Sequence, residues 1–93
     1  AAFRQEVWLA CLLLPTGLWL GQTAVERALL VGSVIILLIV ELLNTGIEVV
    51  VDRIGVERHP LSGFAKDVGS AAVFFGLVLL FSTWALILWD RFY

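Results

Sequence analysis

From Val68 to Trp89 the chain runs 22 residues without one charged side chain. A helix of that length crosses the roughly 30 Å hydrocarbon core of a bilayer. The rest of the sequence agrees with that setting. Of 93 residues, 61% are apolar and only 15% are charged, whereas a soluble domain carries about a quarter charged residues. A chain this short also has too little interior for so many apolar side chains. A free-standing soluble globule and a disordered chain are therefore excluded. A net charge of −2 also excludes a basic nucleic-acid binder. What remains is an integral membrane protein, or a piece buried in a larger complex. The single cysteine, Cys11, lies in an apolar run and has no partner for an internal disulfide.

Two further apolar segments precede the 68–89 span. Ala28 to Val51 is uncharged as far as Val40, after which Glu41, Asn44 and Glu48 interrupt it. Val7 to Leu20 is short, and spans a bilayer only if its helix starts near Ala1 and carries Arg4, Gln5 and Glu6 at its mouth. Pro15 is expected to kink that helix mildly, as membrane helices tolerate. Trp84, Trp89 and Tyr93, with Asp90 and Arg91 between them, read as an aromatic belt at one interface. Gly21 to Arg27 is a short turn. Ser62 is the expected cap of a third helix beginning near Gly63. Three spans leave the chain ends on opposite sides. Arg4, Arg53, Arg58 and Lys66 then share a side against Arg27 and Arg91, which favours the 52–67 loop in the cytoplasm.

The second span carries the chemistry. Glu41, Asn44, Glu48 and Asp52 recur at i, i+3, i+7 and i+11. At about 100° per residue they fall within roughly 80° of one helix face. A charged side chain at membrane depth costs at least ~2.5–3.5 kcal/mol. Carboxylates in a row repel unless a cation or proton lies between them. Such a stripe therefore calls for a partner, a metal, a proton or a water-filled groove. Asn44 alone would be adequate as helix–helix glue; the whole line is more than glue requires. Glu41 lies roughly 16 Å along the axis from Asp52, and Glu48 roughly 6 Å from it. The stripe thus leads from the aqueous edge into the bilayer. A soluble reactant can enter at one end and a lipid head group at the other.

A second cluster, from His59 to Ser70, opens the third helix on the same side as Asp52. Lys66 there can offset phosphate charge, although a lysine snorkelling at the head-group level and paired with Asp67 is the plainer reading. Gly69, Ser70, Ala71 and Ala72 are small, and are expected to let helices pack closely. Neither a Walker A loop nor a kinase glycine-rich loop is present, and HExxH and CxxC are absent as well. Phosphoryl transfer here would therefore belong to neither soluble class.

The run Glu41-Leu42-Leu43-Asn44-Thr45-Gly46-Ile47-Glu48-Val49-Val50-Val51-Asp52 resembles the signature of the prokaryotic diacylglycerol kinase family. Residues 1–6, Asp52-Arg53-Ile54-Gly55 and the 65–73 stretch match as well, so the resemblance covers the whole chain. The Asp-Arg-Ile-Gly and Gly-Ser-Ala-Ala stretches look closer to diacylglycerol kinases than to their undecaprenol kinase relatives. The resemblance implies an all-α fold, with three transmembrane helices per subunit assembling as a trimeric bundle with shared active sites. Residues 1–93 form a single transmembrane kinase domain in this reading. It also implies transfer of the γ-phosphate of magnesium–ATP to diacylglycerol, giving phosphatidic acid, on the cytoplasmic side of a bacterial inner membrane.

Carried over by motif, Glu41 is similar to the family's general base on the lipid hydroxyl, and Glu48 to its metal-binding glutamate. Asn44 and Asp52 would order the site. Lys66 and Asp67 match nucleotide contacts, and Glu57, Arg58 and His59 match the loop beside the nucleotide. Ala2, Phe3, Arg4, Gln5, Glu6 and Ser70, together with Glu41, match the lipid-substrate region. The family pattern also has an N-terminal amphipathic helix and a second metal-binding glutamate, both expected ahead of Ala1 and missing from this sequence. Gly46 stands where the family commonly has Ser or Ala, and is expected to permit closer packing. Undecaprenol phosphorylation is the near alternative. A small transporter or channel using the same carboxylates, and a structural assembly subunit, are the alternatives from other classes.

Overall fold

The computed structural model describes residues 2–54 and 60–93, with side chains from residue 7 onward. It is all-helical: α1 is Ala2–Leu20, α2 is Ala24–Ile54 and α3 is Pro60–Phe92. Each helix extends past its apolar run. Helix α1 does begin almost at the first residue, and it continues through Pro15. Helix α3 starts at Pro60, three residues before Gly63. Proline suits a first helical position because its missing N–H would have no intrahelical partner there. Ser62 therefore lies inside the first turn and is not the cap expected from sequence.

The turn between α1 and α2 is closed by local bonds that the sequence spells out. Thr23 Oγ1 accepts from the Glu26 N–H at 3.1 Å, and Glu26 Oε1 accepts from the Gln22 N–H at 2.9 Å. This is a Thr-x-x-Glu capping box shifted by one residue on its return bond. Arg27 Nε donates to the Gly21 carbonyl at 3.0 Å, and Arg91 donates to the Leu20 carbonyl. Two guanidinium groups thus satisfy carbonyls that the end of α1 leaves open.

Helix α2 packs against both neighbours and runs antiparallel to each. Gly17 of α1 lies against Leu30 of α2, while Ala10 joins Val34, Leu37 and Leu80 in the core. Along α3, Trp84 meets Leu30, Gly76 meets Leu37, Gly69 meets Asn44 and Lys66 meets Asp52. Leu30, Leu37 and Asn44 are seven residues apart, as are Gly69 and Gly76. That spacing is the seam of a left-handed helix pair, with small residues on α3 admitting side chains from α2.

Trp84 belongs to this seam and not to an interfacial belt. Its indole N–H is shared between the Leu30 carbonyl and Ser33 Oγ, each at 3.2 Å, and the Ser33 hydroxyl donates to the same carbonyl at 2.9 Å. Trp89 and Tyr93 do stack at the end of α3, with ring centroids 4.5 Å apart. Away from the seam the surface is apolar. Trp8, Trp19, Phe74, Phe75 and Phe81 all point outward, and Trp19 is 78% exposed. Helices α2 and α3 are both long and apolar enough to cross a bilayer. A surface of this character is stable in lipid and aggregates in water, so this is a membrane protein.

Two packing expectations change. Among Gly69, Ser70, Ala71 and Ala72, only Gly69 is buried. The helical period turns the other three away from α2. A Cβ on Gly46 would meet nothing within 4 Å, so Gly46 brings no helix closer within this chain.

Replacing Trp84 by Phe keeps the ring and removes the shared donor. It is expected to lower the unfolding free energy in bicelles by about 1 kcal/mol. Helix content followed by circular dichroism should stay unchanged.

Candidate functional site

The polar stripe occupies the half of the seam nearer the α2–α3 connection. Moving along α2, Leu30, Ser33 and Leu37 fill the first half, then Glu41, Asn44, Glu48 and Asp52 continue the same line. Glu41 is buried at 8% exposure. Asn44 is half-buried, and its side-chain oxygen lies against Gly69 of α3. Its amide nitrogen donates to Glu48 Oε1 at 3.3 Å. Glu48 is half-buried, and Asp52 is exposed. Burial within the chain rises from the exposed Asp52 to the buried Glu41, along the line that the sequence reading runs from the aqueous edge into the bilayer.

Lys66 closes the open end. Its Nζ lies 2.6 Å from Asp52 Oδ1, so its partner is across the helix pair and not its neighbour Asp67. Lys66 stands ahead of the uncharged 68–89 run, at the membrane edge. The hydrogen bond and the charge of Asp52 hold its ammonium above the ordinary lysine pKa, and Glu48 acts in the same direction. Partial desolvation opposes them. A lysine so held is charged throughout the physiological range and available to a phosphate, provided that Asp52 yields it.

Other residues singled out from the sequence are placed differently. Asp67 and Ser70 are exposed on α3. Glu57, Arg58 and His59 lie outside the described residues. Ala2, Phe3, Arg4, Gln5 and Glu6 form the start of α1, and their side chains lie outside the described set.

The donor chemistry can be tested against a divalent cation. Among the described residues, no three His, Cys, Asp or Glu side chains converge. Asp52 is engaged by Lys66, which leaves Glu48 as the half-buried carboxylate of the stripe. A single hard oxygen donor does not make an all-protein cage. It does fit magnesium, which keeps several waters and is commonly held by one or two carboxylates plus substrate phosphates.

In the sequence Gly69 stands out only as a small residue. The structure makes it the surface on which Asn44 rests. The available signal was the seven-residue spacing to Gly76, set against the same spacing between Leu37 and Asn44 in an antiparallel partner.

Comparison with known proteins gives a consistent result. Residues 1–88 match the family model described as prokaryotic diacylglycerol kinase. The diacylglycerol kinase of Haemophilus influenzae is 52% identical over 87 residues, covering 94% of this chain and 74% of the relative. That of Escherichia coli is 50% identical over 92 residues, covering 99% of this chain and 75% of the relative. That of Pseudomonas aeruginosa is 52% identical over 88 residues, covering 95% and 72%.

Asp52→Asn removes the main cause of the raised Lys66 pKa. The titration of Nζ should move down toward the ordinary lysine value, with a smaller drop in Glu48→Gln. Lys66 is the sole lysine, so lysine-selective ¹⁵N labelling reads this group directly.

Proposed function

The chain belongs to the prokaryotic diacylglycerol kinase family, and on that premise we propose that it phosphorylates diacylglycerol with ATP at the cytoplasmic face of a bacterial inner membrane. The products are phosphatidic acid and ADP. The observation that carries this is the unbroken line of Glu41, Asn44, Glu48 and Asp52 along the α2 seam, met at its open end by Lys66. A lipid kinase needs such a line, because one substrate arrives from water and the other from the bilayer.

Glu41 is the general base. It accepts the proton of the lipid hydroxyl as that oxygen bonds to the γ-phosphorus and the bond to the β-phosphate oxygen breaks. The electron pair of that broken bond leaves with ADP. A buried carboxylate suits this step, since proton transfer by a positioned side chain contributes about 10²–10⁴ in rate. Glu48 would hold magnesium, with Asn44 fixing one of its oxygens. Magnesium held there would supply positive charge against that developing on the transferred phosphoryl group. Lys66 leaves Asp52 and offsets further phosphate charge, with Asp67 contributing beside it. Glu57, Arg58 and His59 flank the nucleotide. The start of α1, Ala2 to Glu6, and Ser70 guide the lipid head group.

Glu48 is half-buried and Asp52 exposed in the single chain, and neighbouring subunits are the natural cover. We therefore favour three spans per subunit and a homotrimer with sites shared between copies. The α1–α3 face supports this. An apolar groove of about 280 Å³ runs there, lined by Leu9 and Leu13 of α1, Val34 and Leu37 of α2, and Leu77 and Phe81 of α3.

The test is a mixed-micelle assay with ATP, magnesium and either diacylglycerol or undecaprenol. Wild type should convert diacylglycerol to phosphatidic acid and prefer it to undecaprenol. Glu41→Gln should lower kcat by about 10²-fold or more with folding retained. Glu48→Ala should raise the magnesium requirement at least about tenfold. Phosphatidic acid formation indifferent to Glu48 would remove the metal assignment. Proton or cation flux without lipid phosphorylation would favour a transporter.

A further inference from the structure

Resting on the kinase reading above, we infer that Gly69 of α3 is a positioning residue for the metal-binding carboxylate, acting through Asn44. A Cβ built on Gly69 would lie 2.1 Å from Asn44 Oδ1 and 3.2 Å from its Cγ. No side chain larger than hydrogen fits while the amide keeps its present rotamer. The amide's orientation is fixed by chemistry at its other end. The Glu48 carboxylate only accepts hydrogen bonds, so the nitrogen of Asn44 must face it, and does so at 3.3 Å. Oδ1 is thereby turned onto the bare backbone of α3. It is buried there without a hydrogen-bond donor among the described residues.

That orphaned oxygen is a clue to what the contact is for. A buried acceptor without a donor forfeits its hydration and gets nothing in return. The arrangement is therefore poor as glue between helices: an asparagine selected for packing would spend its oxygen on a donor. Here the amide is wedged between a glycine and a glutamate, and the useful product is a directed N–H. Partners that orient a metal ligand are worth about 10–100-fold in metal affinity. Gly69 thus acts at one remove, by denying the amide any obstruction that would swing it off Glu48.

Adding a methyl at position 69 has one cheap relief, because the obstructing atom is the tip of a side chain: Asn44 rotates and its N–H leaves Glu48. The nearby Gly76 is the control. A Cβ there would meet Leu37 Cδ1 at 3.1 Å, on the same seam and seven residues away, but with no polar group to misdirect.

Asn44 is the sole asparagine, so asparagine-selective ¹⁵N labelling of the full chain in bicelles gives one side-chain amide pair. In wild type that pair should shift on Glu48→Gln. Gly69→Ala should move it and abolish its response to Glu48→Gln, while Gly76→Ala should leave both unchanged. In the lipid kinase assay, Gly69→Ala should raise the magnesium KM about tenfold while the lipid KM stays within about twofold. Asn44→Ala should do the same, and Gly69→Ala should add nothing in the Asn44→Ala background. The inference is overturned by an unmoved amide pair in Gly69→Ala, by effects of the two substitutions that multiply, or by Gly76→Ala matching Gly69→Ala. Failure of Gly69→Ala to accumulate when Asn44→Ala/Gly69→Ala does accumulate also overturns it, since α3 would then be moving in place of the amide. A wild type that makes no phosphatidic acid defeats the kinase reading instead, and leaves the amide measurement to decide the Gly69–Asn44–Glu48 linkage alone.

Discussion

A carboxylate inside a membrane helix has to be answered by something, and in this chain that requirement organises the rest. Glu41, Asn44, Glu48 and Asp52 follow one line of α2, and the elements around them take positions set by it. Helix α3 lies antiparallel along that line and supplies a glycine at Asn44 and a lysine at Asp52. The seam changes character midway. From Leu30 to Leu37 it is closed by apolar contacts and by the Trp84–Ser33 hydrogen bonds. From Glu41 onward the same geometry carries groups that apolar packing does not satisfy. One half holds the helices in register; the other uses that register.

The two ends of the bundle differ in the same sense. At the α1–α2 turn, Thr23, Glu26, Arg27 and Arg91 are all spent on backbone groups that helix termini leave open. At the opposite end, Lys66 and Asp52 are spent on each other, in an exposed pair that a phosphate can compete for. Exposed pairs contribute little to stability, because water and salt screen them. That makes this one cheap to exchange for a ligand.

Much of this was legible in the sequence because membrane segments obey few rules. Val68 to Trp89 has no charge to interrupt it, and α3 covers it entirely. The helical period placed the four polar residues of α2 on one face, and their graded burial follows. What escaped was the partner of each residue. A single sequence does not say which residue of α3 stands opposite Asn44, so Gly69 was read only as small and Lys66 was paired with its neighbour Asp67. Trp84 was assigned to the interface because tryptophan is common there. Its indole N–H instead finds a carbonyl and a hydroxyl inside the seam, the alternative resolution of the same amphipathic character. Helix α3 starts at Pro60 and not near Gly63, and proline at a first helical position is a start signal. The Thr23-x-x-Glu26 box was also readable and was treated only as a turn.

The central claim is that the carboxylates stand on the seam for chemistry and at the expense of packing. Glu41→Leu tests it most directly, through the unfolding free energy in bicelles measured beside phosphatidic acid formation. If the claim holds, the variant is as stable as wild type or more so, and forms no phosphatidic acid. A loss of about 2–5 kcal/mol, the size expected for removing a core side chain, would contradict it and make Glu41 a structural residue.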